Sequence, residues 1–211
     1  LTREIKENIQ KISKGLNKEG LRVIAVCKKY SNEPGYDFEV KDEKNMILLG
    51  FIGFLDPPKE SAKQAVERMN KAGIRVIVLT GDNAEVTKCI CDKVNIKSKR
   101  IILGNELDKL QDVAVHRLIK KNNIFAKLSP IQKARIIRLL KEEGNVVGYM
   151  GDGINDSPSL TNSDVGVSVD TAVDIAKESA DIILLEKDLN VLLDGVTEGR
   201  KTFANLMKYI K

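Results

Sequence analysis

The sequence predicts an α/β protein built on a doubly wound parallel sheet. Past residue 56, short apolar runs that favour β-structure alternate with amphipathic stretches at helical spacing, as expected of parallel strands joined by helices. Residues 74–79 and 182–185 are almost entirely apolar, which is typical of strands covered by helices on both faces of a sheet. Polar side chains follow several of these runs directly, and ligands of such sheets bind beyond the carboxyl ends of the strands.

The first 55 residues follow a different pattern. Apolar residues recur three and four positions apart over residues 4–19, which predicts a helix that Gly20 ends. Strands are predicted at residues 21–27 and 46–55, with a turn at residues 31–35 between them.

A stiff joint follows the second strand. Asp56 precedes Pro57 and Pro58, which donate no backbone hydrogen bond and keep Asp56 out of the helical conformation, so we place a domain boundary near residue 56. Beyond it, helices are predicted at residues 60–72, 83–95, 106–121, 130–143 and 171–179, with a last helix from about 188. Strands are predicted at residues 74–80, 101–103, 124–127, 146–150, 165–169 and 181–185.

Composition excludes several classes of protein. The 35 basic and 30 acidic residues are interspersed, and no basic run carries the aromatic residues that stack on bases, so we expect no nucleic-acid partner. Cys27, Cys89 and Cys91 are odd in number and have no neighbouring histidine to complete a zinc site. No run approaches the roughly 20 apolar residues that cross a bilayer. The net charge of +5 suits an anionic ligand such as a nucleotide.

The first group of candidate residues, Thr80-Gly81-Asp82, ends the predicted strand 74–80. The Thr80 hydroxyl can donate to a phosphate oxygen, Gly81 lets the backbone approach that phosphate, and the amides at the start of the next helix favour negative charge. Alternatively, Asp82 or Asn83 only caps that helix. The motif by itself leaves both interpretations open.

The second group follows the predicted strand 124–127. Ser129 suits the N-cap of a helix and Pro130 its first position, so Lys133 lies one turn inside that helix. A lysine there opposes the helix dipole unless an anion lies opposite, which points to a bound anion. A solvated surface lysine remains the alternative.

The third and strongest group is Gly151-Asp152-Gly153-Ile154-Asn155-Asp156, directly after the predicted strand 146–150. Two carboxylates at the end of a buried strand repel each other and any phosphate, so a Mg²⁺ ion between them is the natural partner. A calcium EF-hand would need a glutamate at its twelfth position, which is Ser163 here. An Asx turn with a helix cap remains the alternative, although it needs only one aspartate.

Together these motifs resemble the phosphorylation domain of P-type cation-transporting ATPases (the E1-E2 family), a branch of the haloacid dehalogenase superfamily. The resemblance includes Asp56-Pro57-Pro58-Lys59 and Leu21-Arg22, and it covers nearly the whole chain in matching order. The segment from residue 170 onward is most similar to bacterial magnesium-transporting pumps, with calcium pumps as the nearest alternative.

The resemblance implies roles for individual residues. It makes Asp152 and Asp156 ligands of Mg²⁺, with Asn155 arranging the phosphate, while Thr80 and Lys133 contact the phosphoryl oxygens. The residues that it implies for binding the substrate ATP are Arg22, Asp56, Thr80, Gly81, Asp82, Lys127 and Lys133.

The resemblance also implies an organisation. Residues 1–55 correspond to the C-terminal segment of a nucleotide-binding domain, residues 56–195 to the phosphorylation domain with its Rossmann-like sheet, and residues 196–211 to the start of a helix leading to the membrane. The implied partners are ATP and the rest of a pump, namely the remaining nucleotide domain, an actuator domain and transmembrane helices. The implied location is the cytoplasmic face of the cell membrane.

One departure from the family concerns the nucleophile. The family's Asp-Lys-Thr-Gly-Thr motif occurs nowhere in the sequence, so we expect a piece of a pump that cannot form the aspartyl phosphate alone. The strand bearing that aspartate is central in the family's sheet, so the strands at 74–80 and 146–150 are expected to lack a neighbour and the chain to rearrange, dimerise or be of low stability. The alternatives are a non-enzymatic Mg²⁺- or nucleotide-binding module, and a phosphatase that would need its own nucleophile.

Overall fold

The computed structural model describes residues 3–30, 37, 39–186 and 188–210. The chain divides into two compact units, Leu1–Pro57 and Pro58–Lys211. The turn predicted at residues 31–35 lies outside the described residues. Within the described ranges, each helix is too short or too polar to cross a bilayer.

The first unit consists of a helix and an antiparallel pair of strands. Helix α1 (Arg3–Lys18) is followed by β1 (Leu21–Lys28), a 3₁₀ turn (Val40–Asp42) and β2 (Ile47–Leu55). Gly20 separates α1 from β1 because its φ of +87° belongs to the left-handed region that glycine adopts without strain. Strands β1 and β2 pair along their whole lengths, so the helix and both strands predicted here are confirmed.

The second unit alternates helices with short strands. Its helices are α2 (Glu60–Lys71), α3 (Ala84–Lys93), α4 (Gly104–Leu107), α5 (Asp112–Lys121), α6 (Pro130–Glu142), α7 (Ser157–Asn162), α8 (Asp174–Glu178) and α9 (Leu189–Ile210). Its strands are β3 (Val78–Leu79), β4 (Ile101–Leu103), β5 (Ile124–Ala126), β6 (Gly148–Met150), β7 (Val165–Val169) and β8 (Ile182–Leu184). This order confirms the predicted α/β class.

The strands of the second unit form two parallel sheets of three strands. The first has the order β3-β5-β4, and the second has the order β6-β7-β8. Strands β3 and β6 are therefore edge strands, and no strand among the described residues pairs with their outer sides. The prediction that the strands near 74–80 and 146–150 lack a neighbour is confirmed for the part of the chain that the structure describes.

Three hydrophobic clusters pack around the two sheets. The first surrounds Phe125 on β5, the second surrounds Val167 on β7, and the third fills the space between α2, α3 and β5. Leu79 on β3 and Val147 just before β6 each pack against both the first and the second cluster. Leu79 and Val147 thus link the two clusters, and we call the region around them, between β3 and β6, the seam.

Two predicted elements show how contacts distant in sequence change the extent of an element. The strand predicted at 74–80 is paired only at Val78–Leu79, because its partner β5 begins at Ile124 and residues 74–77 extend beyond it. The helix predicted at 106–121 is broken between α4 and α5. There the Arg135 guanidinium donates to the carbonyl oxygens of Leu107 (2.9 Å) and Leu110 (2.7 Å), so the interruption leaves these groups satisfied.

Candidate functional site

The loop after β3 is tied to the loop after β5 through backbone hydrogen bonds. The Lys127 amide donates to the Asp82 carbonyl oxygen at 2.8 Å, and the Leu128 amide donates to that of Thr80 at 2.9 Å. The Thr80 hydroxyl accepts from the Asp82 amide at 3.1 Å and donates to Asp82 Oδ2 at 3.2 Å. Two of the three predicted strand ends therefore lie side by side.

Of the two residues considered as helix caps, Asn83 is the one that caps α3. Asn83 Oδ1 accepts from the Val86 amide at 2.9 Å and so caps α3, while Asp82 is turned toward Thr80. Gly81 is exposed, and a β-carbon there would lie 3.6 Å from the Leu128 carbonyl oxygen, an ordinary contact. Packing inside this chain does not require a glycine at position 81.

The loop after β5 has a constrained backbone. Lys127 has a φ of +53°, in the left-handed region where a residue with a β-carbon is strained. A β-carbon on Gly104 would overlap the Lys127 carbonyl oxygen and the Gln132 side chain. The close approach of Gly104 and Lys127 therefore fixes the path of this loop, while the lysine side chain stays exposed.

The start of α6 is held by a capping box. The Ser129 hydroxyl accepts from the Gln132 amide at 3.3 Å, and Gln132 Oε1 accepts from the Ser129 amide at 2.9 Å. Gln132 also donates to the Gly104 carbonyl oxygen and to Asp108 Oδ1. The sequence analysis did not select Gln132, although serine followed three positions later by glutamine is a recognisable pattern.

Lys133 and Asp156 form the centre of the candidate site. Lys133 Nζ lies 2.8 Å from Asp156 Oδ1, and the two side chains are only 12% and 14% exposed. The anion opposite Lys133 is thus a carboxylate of the protein itself, so the helix-dipole argument alone does not require a bound anion here. The ion pair joins the second predicted strand end to the third.

Tyr149 on β6 is a member of the same cluster that the sequence analysis missed. Its hydroxyl donates to Asp156 Oδ1 at 2.6 Å, and the Gly153 amide donates to Asp156 Oδ2 at 3.2 Å. Burial and then the Asp156 carboxylate raise the pKa of Tyr149 well above its usual range. Its position inside an apolar strand indicates a core residue, so no sequence signal reveals the hydroxyl's partner.

Opposing effects act on the Asp156 carboxyl. Burial raises the pKa of Asp156, whereas the hydrogen bonds from Lys133 and Tyr149 lower it, and the net result is a pKa below the usual value. Asp156 is therefore ionised at neutral pH and holds Lys133 as its counter-ion.

The glycine-rich turn brings the other acidic residue to the same edge. The Gly151 carbonyl oxygen accepts from the Ser168 hydroxyl at 2.9 Å, and the Asp152 carbonyl oxygen accepts from the Val173 amide at 3.2 Å. A β-carbon on Gly151 would lie 2.5 Å from Asp156 Cβ, so this position requires glycine. Asp152 and Asn155 are exposed beside the buried ion pair.

The donor atoms at this edge suit a small, hard cation that keeps part of its water shell. Among the described residues no group of three or more acidic, cysteine or histidine side chains is arranged to hold a metal. Mg²⁺ is commonly bound by one or two carboxylates together with water and phosphate oxygens. The exposed Asp152 carboxylate, with Asp156 behind it, fits that mode of binding.

The predicted site residues fall into the two compact units. Thr80, Gly81, Asp82, Lys127, Lys133, Asp152, Asn155 and Asp156 lie in the second unit, at or just beyond the carboxyl ends of β3, β5 and β6. Arg22 lies on β1 opposite Phe54, and Asp56 follows β2, so both belong to the first unit.

A cavity of about 280 Å³ lies away from this site, before the amino ends of β3, β4 and β5. Its walls include Arg75, Lys97 and Asn123. The Arg75 guanidinium already donates to Asn123 and to the carbonyl oxygens of Ile119 and Asn122. We assign no ligand to this cavity.

Parallel strands with acidic, lysine and threonine side chains beyond their carboxyl ends make this an α/β protein with a polar site at one edge of its sheets. Residues 3–164 match the family model of the haloacid dehalogenase-like hydrolases, and the chain belongs to this family. The resemblance to P-type ATPases is also confirmed. The chain is 49% identical to the magnesium-transporting ATPase, P-type 1, of Escherichia coli strain K12 over 203 residues, which are 96% of this chain and 23% of that protein.

Two further relatives show the breadth of the resemblance. A magnesium-transporting ATPase, P-type 1, of Salmonella typhimurium strain LT2 is 44% identical over 212 residues, covering 100% of this chain and 23% of that protein. Calcium-transporting ATPase 1 of Bacillus cereus is 34% identical over 213 residues, covering 100% of this chain and 24% of the relative. The chain thus spans less than a quarter of the length of each of these pumps.

Proposed function

We propose that this chain is the Mg²⁺- and phosphate-handling part of a P-type pump that couples ATP hydrolysis, through an aspartyl phosphate, to cation transport. The observation that carries the proposal is the buried pair of Lys133 and Asp156, 2.8 Å apart, where the carboxyl ends of both sheets meet. A lysine held there by a carboxylate can stabilise the negative charge of a phosphoryl group during its transfer.

Thr80 and Lys133 are proposed to bind the phosphoryl oxygens. The Thr80 hydroxyl is a donor held at the end of β3, and the Lys133 ammonium has further N–H groups besides the one on Asp156. The backbone bonds between the two loops fix the position of Thr80 beside the loop that leads into α6, and the bond to Asp156 fixes Lys133.

Asp152 and Asp156 are proposed to hold Mg²⁺, with Asn155 orienting the phosphate. The ion would supply positive charge against the phosphoryl oxygens, which neither carboxylate can do. Asp152 would be the direct ligand because it is exposed. Asp156, which already accepts from Lys133, Tyr149 and Gly153, would hold the ion from the inner side of the site and also orient the lysine.

The nucleophilic aspartate is proposed to come from a further strand of the same pump. The edge positions of β3 and β6 support this, because no strand among the described residues pairs with their outer sides and the candidate site lies beyond their carboxyl ends. A strand entering the seam would bring its own carboxyl end, and the residue following it, beside Lys133. The resulting acyl phosphate would be hydrolysed in the intact pump.

ATP is the proposed substrate of the intact pump. Arg22, Asp56, Gly81, Asp82 and Lys127 are proposed to contact or orient the nucleotide, together with Thr80 and Lys133. The proposed partners are the remaining nucleotide domain, the actuator domain and the transmembrane helices, with this chain on the cytoplasmic side of the membrane.

Magnesium is the proposed transported ion, by similarity alone. The identity is 49% to a magnesium-transporting relative and 34% to a calcium-transporting one, each over nearly all of this chain. A calcium-type pump is the alternative, since the residues that select an ion across the membrane lie outside the sequence described.

Replacing Asp152 by asparagine in the intact pump tests the proposal. We expect ATP turnover to fall at least about a hundredfold, because even residues behind a metal ligand contribute ten- to a hundredfold. The matched control is Asp174→Asn, on an exposed carboxylate of α8. Turnover measured by phosphate release that is equal in the Asp152 variant and the unaltered pump would refute the metal role.

A further inference from the structure

We propose that Tyr149 is a positioning residue, whose hydroxyl fixes the Asp156 carboxylate and through it the direction of the Lys133 ammonium. The importance of this direction for phosphate binding rests on the proposed function. The positioning itself rests only on the contacts among the three side chains.

The Tyr149 ring and its hydroxyl have different surroundings. The residue is 9% exposed and packs in the second hydrophobic cluster with Leu160 and Val167. A phenylalanine would fill the same space, and burying a hydroxyl is unfavourable unless it forms a hydrogen bond. The 2.6 Å bond to Asp156 Oδ1 therefore explains why a hydroxyl can stand at this position.

The Asp156 carboxylate is held on both of its oxygens. Oδ1 accepts from Tyr149 and from Lys133 at 2.8 Å, and Oδ2 accepts from the Gly153 amide at 3.2 Å. The Gly151 backbone lies close to the same side chain, since a β-carbon on Gly151 would lie 2.5 Å from Asp156 Cβ. Together these contacts restrict the rotation of the carboxylate.

Tyr149 and Lys133 donate to the same oxygen, Asp156 Oδ1, and this shared acceptor couples the positions of the two side chains. The two donors approach Oδ1 from β6 and from α6, so each restricts where the other can lie. Without the hydroxyl, Oδ1 keeps only the lysine, and the carboxylate can turn with it. A hydrogen bond to a charged group is strong enough that its loss should raise the population of the detached lysine at least about tenfold.

The direct test observes the Lys133 ammonium by NMR in the 211-residue chain with ¹⁵N-labelled lysine. Lys133→Arg assigns the resonance by removing it. We expect the ammonium protons of Lys133 to exchange slowly with water in the unaltered chain and at least about tenfold faster in Tyr149→Phe. Tyr209→Phe is the matched control, since this tyrosine is 90% exposed on α9.

Each outcome decides between packing and positioning. The proposal is contradicted if the Tyr149→Phe chain stays folded by circular dichroism and Lys133 keeps its slow exchange. The ring alone would then be enough to hold Lys133 in place. A Tyr149→Phe chain that does not fold is replaced by Tyr149→Met. An unaltered exchange rate of Lys133 in that variant would likewise contradict the proposal.

A second measurement separates this proposal from the proposed function. Inorganic phosphate is added together with Mg²⁺, and the shift of the Lys133 resonance is recorded in the unaltered chain. If phosphate leaves that resonance in place while Tyr149→Phe still accelerates its exchange, phosphate binding by Lys133 is wrong and the positioning role stands. If the resonance shifts with phosphate but its exchange rate is unchanged in Tyr149→Phe, Lys133 binds phosphate and the positioning role of Tyr149 is wrong.

Discussion

At the scale of single residues, the structure shows why Lys133 can occupy the first turn of α6, where a positive charge is unfavourable. Asp156 lies 2.8 Å away, both side chains are nearly buried, and Tyr149 supplies a second donor to the same carboxylate. Breaking such a pair leaves one charge buried without its partner, which is more damaging than the pair is stabilising.

The depressed pKa of Asp156 makes this contribution pH-dependent. A carboxyl whose pKa is lowered by folding adds stability above the pKa of the unfolded chain, about 3.9, and loses it as pH falls through the folded value. We expect the difference in unfolding free energy between the unaltered chain and Asp156→Asn to be largest near neutral pH and to shrink below about pH 4. Urea unfolding at a series of pH values measures it, and a difference that grows on acidification would contradict the assignment.

Sequence reasoning selected the charged residues of the candidate site but not Tyr149, the second side-chain donor to Asp156. Asp152, Asp156 and Lys133 stand out because acidic residues between glycines, and a lysine early in a helix, are locally unusual. Tyr149 lies in an apolar strand, where an aromatic residue is ordinary, and only the folded chain brings its hydroxyl to Asp156.

At the scale of elements, the start of α6 depends on contacts with the short helix α4. Gln132 donates to the Gly104 carbonyl oxygen at 3.0 Å, and the Lys127 carbonyl oxygen approaches Gly104 so closely that no side chain fits. The loop that carries Lys127 and the helix that carries Lys133 are thus held by one glycine on another element.

Two glycine-to-alanine substitutions test this dependence. Gly104→Ala is expected to destabilise the chain by about 2 kcal/mol, because its β-carbon would have to displace backbone. Gly195→Ala in the middle of α9 is the control, since nothing lies within 4 Å of its added β-carbon. It should stabilise by about 0.5–1 kcal/mol through helix propensity. Chemical denaturation compares the two, and equal effects would contradict the close approach.

Element boundaries could be predicted where local chemistry sets them. Ser129 and Pro130 begin α6 where expected, because a cap and a first-turn proline act within one turn of the chain. The extent of β3 and the break between α4 and α5 could not be predicted. The first depends on where β5 begins, and the second on a guanidinium 25 or more residues away in the sequence.

At the scale of the whole second unit, two three-stranded sheets meet at a seam instead of forming one sheet. The parallel α/β class followed from the alternating pattern, and the missing neighbour of β3 and β6 followed from the absent motif. The shared packing of Leu79 and Val147 with both clusters did not follow from either, because it depends on long-range contacts.

Hydrogen exchange should report the open edges. The amides of the central strands β5 and β7 are expected to exchange more slowly than those of β3 and β6, since edge strands open with less loss of packing. Phe125 and Val167 represent the central strands, and Leu79 and Met150 represent the edges. Protection of Leu79 and Met150 equal to that of the central strands would indicate that another strand covers the seam, as self-association of the chain would do.

The first and last helices of the second unit, α2 and α9, pack against each other. Arg68 on α2 donates to Asn190 at 2.6 Å and to Asp194 at 2.8 Å, and Arg200 donates to the Ala72 carbonyl oxygen at 2.7 Å. The first and last helices of this unit thus lie together, while α6 connects β5 of the first sheet to β6 of the second. A backbone cut in an exposed loop between these two helices should therefore leave them associated, because side-chain contacts hold them together without the intervening chain.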